Sequence, residues 1–209
     1  MSERIITSDA CVHEGAEALA AKHPILREAF AATGPLPLRL KPAGFAQLLN
    51  AIVGQQVSVA SANAIWGKLV AAGLTSEAPI LALSEEELRA QGLSRQKAKY
   101  ARALAAAAID YEALAGLSSD EVIKMLTAVQ GIGTWTAEIY AMFSLGRADV
   151  FAHGDLALQE AARALYGLAE RPKEKQMREM AEAWSPWRSV AARILWAYYK
   201  QMKNREGIR

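Results

Sequence analysis

LTAVQGIGTWTAEIYAMFSLGRADVFAHGD, residues 126–155, carries a Gly-Ile-Gly turn between two helical patterns and ends on an acidic residue at the head of a third. Val122, Met125, Leu126 and Val129 recur at the spacing of one helix face. Ser118 with Glu121 three residues on has the form of a capping box that starts that helix. Gly131-Ile132-Gly133 stops it, because glycine tolerates positive φ and leaves the backbone bare to another chain. Residues 135–145 read as a second helix, with Trp135, Ile139, Met142 and Phe143 facing inward. Its first turn therefore offers backbone N–H groups beside two glycines, a combination that suits an anion such as a nucleic-acid phosphate. A plain helical hairpin closed by a glycine stop satisfies the same spacing.

Beyond the turn at residues 146–149, Val150-Phe151 is short and apolar, and His153-Gly154-Asp155 precedes a helical pattern marked by Leu156, Leu158, Ala162 and Leu165. Asp155 thus stands at a helix N-terminus, where the macrodipole favours an ionised carboxylate. Aspartate there is also a common N-cap. Spacing leaves cap and catalyst both open, and one residue can be both.

Working outward, residues 1–8 lack an organising pattern and are expected to be loose. Asp9 caps a helix over 10–22, and Pro24 starts a short one through Phe30. Pro35, Pro37 and Pro42 stop helices, so a lobe boundary falls near residue 42. Phe45, Leu48, Leu49 and Ile52 mark an inward face, interrupted by the polar run Gly54-Gln55-Gln56-Val57-Ser58 before a helix over 59–69. Ser84 and Glu87 form another capping box, and Ser94 caps a helix over 95–109. Lys97 and Lys99 on that helix are read as surface lysines by default. Towards the C-terminus, helices are expected over 156–168, 173–184 and 189–202, the last with Val190, Ile194, Ala197 and Tyr198 inward. Few alternating β-branched runs occur, so the chain reads as all-α in two helical lobes, residues 1–42 with 147–209 and residues 43–146.

Net charge is only +2, and hydrophobic residues make up 52%, enough for a core. Bulk charge therefore says little about nucleic acid, but its distribution says more. Arg89, Arg95, Lys97, Lys99 and Arg102 form a run without an acid, and a second basic run follows Arg188. Either run alone is an ordinary solvated face; two beside a phosphate-type turn favour a DNA-facing surface. A lone cysteine, Cys11, excludes an intramolecular disulfide and a four-cysteine cluster. With no signal-like or membrane-length apolar run, the reading is a soluble cytoplasmic protein with no membrane association and no cofactor.

Leu126-xx-Val129-x-Gly131-Ile132-Gly133-xx-Thr136-Ala137, with Asp155 twenty-two residues after Gly133, resembles the helix-hairpin-helix DNA glycosylases, and within them the DNA-3-methyladenine glycosylase II branch. Family-like features run from about Phe45 to about Tyr199. The resemblance implies an all-α, two-lobe fold with a DNA-binding cleft between the lobes, the hairpin at about 121–145, and no N-terminal sheet domain. It implies that Asp155 is the catalytic carboxylate and that Gly131, Ile132, Gly133 and Thr134 hold a DNA phosphate. Gln56, in Ile-Val-Gly-Gln-Gln-Val-Ser, takes the place of the wedge that fills the duplex where the target base has left, while Gln55 faces the protein. Trp-xx-Trp-Arg and Ile-Leu-Trp resemble the C-terminal motifs, so Trp196 is carried over as the indole that stacks on the extruded base. Trp135 and, more weakly, Tyr140 join it as pocket candidates; Trp187 and Arg188 are structural.

Bifunctional relatives carry a lysine where Trp135 stands, so no Schiff base is expected. Ala152 replaces a frequent proline, and His153 is a neighbour of the sugar or a surface residue. The resemblance implies a monofunctional enzyme that excises 3-methyladenine and 7-methylguanine from double-stranded DNA, acting as a monomer. No catalytic metal is implied; a monovalent cation at the hairpin is compatible with the turn. The alternatives are a hairpin DNA-binding module in which Asp155 is only a cap, and a helical protein-interaction domain.

Overall fold

The helix starts are written in capping chemistry. In α8 (Ser119–Thr127) the Ser118 hydroxyl accepts from the Glu121 N–H at 3.3 Å, and the Glu121 carboxylate accepts from the Ser118 N–H at 2.8 Å. Ser84 and Glu87 do the same at α6 (Glu85–Ala90). Each box satisfies two of the donors a helix N-terminus leaves over. The structure, a computed structural model, describes residues 3–206. Among these no sheet forms, and the fold is all-α. The chain divides into two compact units: one runs to Leu40 and resumes at Ala141, and the other is Lys41–Tyr140. The later division falls inside α9 (Thr134–Phe143), several residues before the expected boundary at 146.

In the second unit α7 (Arg95–Ala106) packs against α3 (Phe45–Gly54), α5 (Glu77–Ala82) and α6. Its small face, Ala98, Ala101, Leu104 and Ala105, is buried, which allows close approach. Lys97 departs from the surface default: it is 8% exposed, and its ammonium donates to the Val53 carbonyl at 2.7 Å. Val53 lies in the last turn of α3, so the lysine satisfies a carbonyl that the helix end leaves over. Helix α4 (Val59–Ala71) follows the polar run, capped by Ser58. Sequence reading had no signal for the one-and-a-half-turn α5.

In the first unit α12 (Arg188–Glu206) packs against α1 (Asp9–Lys22), α2 (Pro24–Thr33) and α10 (Leu156–Leu165). Val190 to Leu195 are buried on every side, so α12 is the core of this unit rather than a one-faced surface helix. Gly15 makes the α1 contact: a Cβ there would lie 2.6 Å from the Trp187 ring and 2.7 Å from Val190. Trp187 is buried and Arg188 donates to the Ala181 carbonyl at 3.1 Å, both structural as expected. Ser8, not Asp9, caps α1. The described part of the expected loose start is fastened: Ile6 N–H donates to Gly146 O at 2.7 Å, Ala148 N–H to Arg4 O at 3.0 Å, and Ile6 is buried.

Candidate functional site

Asp155 is the N-cap of α10 in fact as well as in pattern. Its Oδ1 accepts from the backbone N–H groups of Ala157 at 2.9 Å and Leu158 at 3.0 Å. Those bonds meet the capping need of the helix. A third donor reaches the same oxygen from another helix: Trp196 Nε1 on α12, at 3.2 Å. Both side chains are half-buried. The carboxylate is therefore pinned at the positive end of a helix dipole, with an indole held beside it. Phe143, at the end of α9, tilts against the Trp196 ring with centroids 5.7 Å apart. The Phe151 ring packs edge-on to His153 at 5.3 Å, and the His153 carbonyl accepts from Gln159 at 3.0 Å.

Two arginines frame this cluster, and sequence reading singled out neither. Arg193 is 1% exposed on α12, one turn from Trp196. Its guanidinium donates to the Ser189 carbonyl and to the Leu38 carbonyl, each at 2.9 Å, and lies 4.7 Å from the Phe143 ring centroid. Burial, and secondarily the nearby Arg39 cation, lower its pKa to about 10. The signal for Arg193 was present in the sequence: an arginine on the buried turn between Val190 and Ile194. Arg39, over the Trp196 ring at 5.9 Å, lies in an irregular segment that offers no such signal.

The hairpin belongs to the other unit. Gly131 has φ +97°, and a Cβ on it would meet the Tyr100 ring at 2.4 Å. Only glycine meets both demands. Gly133 differs: its φ is not in the left-handed region, and a Cβ would find no heavy atom within 4 Å. A side chain there would meet only open space. Gly133 and Thr134 are exposed, while Ile132 is buried and anchors the turn. Ala137 N–H bonds to Gly133 O at 3.0 Å, so α9 begins at this glycine with its first-turn amides at the surface of the turn.

Gln55 and Gln56 have different surroundings. Gln55 Nε2 donates to Gly131 O at 3.0 Å, fastening the polar turn after α3 to the hairpin. Gln56 is exposed and takes φ +54°, a conformation few residues other than glycine adopt. Beside it opens a cavity of roughly 300 Å³ lined by Gln55, Gln56, Ser94, Lys97 and Tyr100 among others. Such backbone strain, held by its surroundings, is common at functional sites.

Trp135 and Tyr140 sit in opposite surroundings. Trp135 does not face inward as its spacing predicts: it is 45% exposed in the first turn of α9. Tyr140 is 3% exposed, and its hydroxyl accepts from the Gly44 N–H at 2.8 Å. Burial raises its pKa, with the Gly44 bond acting the other way. It is a strut that fixes the start of α3, and its polar atom is already committed. Among the described residues no cluster of three or more metal-ligating side chains occurs, and no helix is long and apolar enough to cross a membrane.

An all-helical chain with a glycine-turned hairpin, and an aspartate locked at a helix N-terminus against an indole, is built as a helix-hairpin-helix protein. Comparison with known proteins gives the particular family. Residues 49–186 match the HhH-GPD superfamily base excision DNA repair protein family, and the chain belongs to it. DNA-3-methyladenine glycosylase 1 of Schizosaccharomyces pombe is 32% identical over 161 residues, 73% of this chain and 71% of that one. DNA-3-methyladenine glycosylase 2 of Escherichia coli is 29% identical over 168 residues, 73% of this chain and 56% of its own length. A crystal structure of DNA-3-methyladenine glycosidase from Bacillus halodurans matches with TM-score 0.82 at 34% identity, covering 98% of this chain and 95% of that one. The structure of a 3-methyladenine DNA glycosylase from S. pombe in complex with abasic DNA matches with TM-score 0.75 at 28% identity, covering 91% and 97%.

Proposed function

We propose that the protein is a monofunctional DNA glycosylase of base excision repair, hydrolysing the N-glycosidic bond of alkylated bases flipped out of duplex DNA. The observation that carries this is the 3.2 Å bond from Trp196 Nε1 to Asp155 Oδ1. A cap needs only the amides of its own helix. The extra indole puts an aromatic face beside a fixed carboxylate, the pair that base excision requires. Relatives named for 3-methyladenine support the lesion class.

In 3-methyladenine and 7-methylguanine the alkylated ring carries positive charge and leaves readily. Little acid catalysis is then needed, and the barrier lies in the oxocarbenium-like sugar. The Asp155 carboxylate stabilises that developing charge and orients the attacking water. Its capping bonds leave it little freedom, so stabilisation costs little reorganisation. Trp196 takes the base by stacking and by the attraction of a cation to a π face. Exposed Trp135 offers a second indole of the same chemistry. The amides after Gly133 hold a phosphate, and Gln56 fills the gap in the stack so that the flipped state lasts. The enzyme acts as a monomer in the cytoplasm on DNA.

Duplex DNA carrying 3-methyladenine and 7-methylguanine tests the proposal. The expected products are free methylated bases and an unbroken abasic strand, with no adduct trapped by borohydride. Strand cleavage or a trapped adduct contradicts the monofunctional reading; salt-sensitive binding without base release contradicts the enzymatic one.

A further inference from the structure

The geometry points to Arg39 as the residue that sets how readily a positively charged base is accepted on the Trp196 indole. This rests on the glycosylase reading above. Arg39 lies between α2 and α3, outside regular structure, with its guanidinium 5.9 Å from the Trp196 ring centroid. Its φ is +57°, a left-handed conformation that a side chain other than glycine or asparagine adopts only where its surroundings hold it.

The neighbouring carbonyl is held from the core. Buried Arg193 donates Nη2 to Leu38 O at 2.9 Å and lies 4.7 Å from the Phe143 ring, which packs on Trp196. One buried guanidinium thus steadies the backbone that carries a second guanidinium over the indole. Among the described residues no carboxylate lies within ion-pair distance of Arg39.

A guanidinium is itself a planar, delocalised cation. It competes for the π face with any base that carries a fixed positive ring charge, and it repels that base. A neutral base meets a different neighbour: five N–H donors for its carbonyl and ring-nitrogen acceptors. Arg39 therefore shifts acceptance away from cationic bases and towards neutral ones. The effect is useful because cationic bases already depart easily, whereas neutral ones need more help from the pocket.

The test is single-turnover release at saturating enzyme, from duplexes carrying 7-methylguanine (cationic) or hypoxanthine (neutral). Arg39→Gln is expected to speed 7-methylguanine release about 3-fold or more, the size of an exposed cation–π contact, without speeding hypoxanthine release. Arg39→Lys keeps the charge and is expected to stay near the wild-type rate on 7-methylguanine. An unchanged 7-methylguanine rate in Arg39→Gln, or a parallel change of both rates, overturns the assignment. A wild-type protein that releases no 7-methylguanine overturns the glycosylase reading instead.

Discussion

Adding one methyl group at either glycine of the hairpin should break different things. At Gly131 the alanine must hold φ near +97°, which costs about 1–2 kcal/mol for an L side chain. Its Cβ must also displace the Tyr100 ring, whose Cγ lies 2.4 Å away. Such overpacking costs about 1–3 kcal/mol more, offset by about 0.4–1 kcal/mol from a stiffer unfolded chain. The net loss is about 2–4 kcal/mol, a Tm drop of roughly 5–15 °C for a chain of this size. At Gly133 neither cost applies, since φ is ordinary and no heavy atom lies within 4 Å. Gly133→Ala should therefore unfold within about 0.5 kcal/mol of wild type. Its methyl instead occupies the space into which a phosphate comes under the proposed function. Losing one charge-assisted bond to a backbone N–H corresponds to about tenfold weaker DNA binding. Thermal melts followed by circular dichroism read the first effect, and fluorescence anisotropy with a labelled duplex reads the second. If Gly133→Ala melts as low as Gly131→Ala, or binds DNA like wild type, the division of labour between the two glycines is wrong.

Three further outcomes follow from the same geometry. Lys97→Met leaves the Val53 carbonyl without its donor and should cost about 1–3 kcal/mol in urea unfolding; no loss would mean that the buried ammonium contributes nothing. Gln56→Ala, at an exposed position, should leave stability within about 0.5 kcal/mol. It should slow base release from a fully paired duplex by about tenfold, and less so opposite a mismatch where unpairing is already easier; equal slowing in both contexts argues against a wedge. The Cys11 thiol, held from 9.0 down to about 7 chiefly by its contact with the Ser8 hydroxyl, is ionised above that pH. Alkylation by iodoacetamide should reach half its maximal rate near pH 7, and Ser8→Ala should move that midpoint upward.

Much of this was legible in the chain because it is written locally. Capping boxes at Ser84 and Ser118 need residues only three apart, and the structure contains both. Asp155 could be placed at the head of a helix for the same reason. What periodicity could not give was direction at the ends of elements. Trp135 fits the inward face of α9 by spacing, yet it stands exposed in the first turn after the hairpin. Tyr140 was readable as an aromatic but not as a strut, since its partner Gly44 is 96 residues away. Lys97 and Arg193 show the same limit in charged side chains. Each donates to a carbonyl distant in sequence, Val53 and Leu38, and local spacing does not give that partner. Arg39 was hidden most completely, because a left-handed arginine in a proline-flanked segment leaves no trace in hydropathy.

Asparagine at position 155 separates the capping role of this aspartate from the catalytic role proposed for it. It caps a helix as well as aspartate does, and its oxygen can still accept from Ala157, Leu158 and Trp196, but it brings no negative charge to the sugar. For Asp155→Asn, single-turnover release of 3-methyladenine should fall at least about 100-fold, with Tm and duplex affinity near wild type. Release at the wild-type rate from a normally folded Asp155→Asn protein would mean that Asp155 is a cap and nothing more.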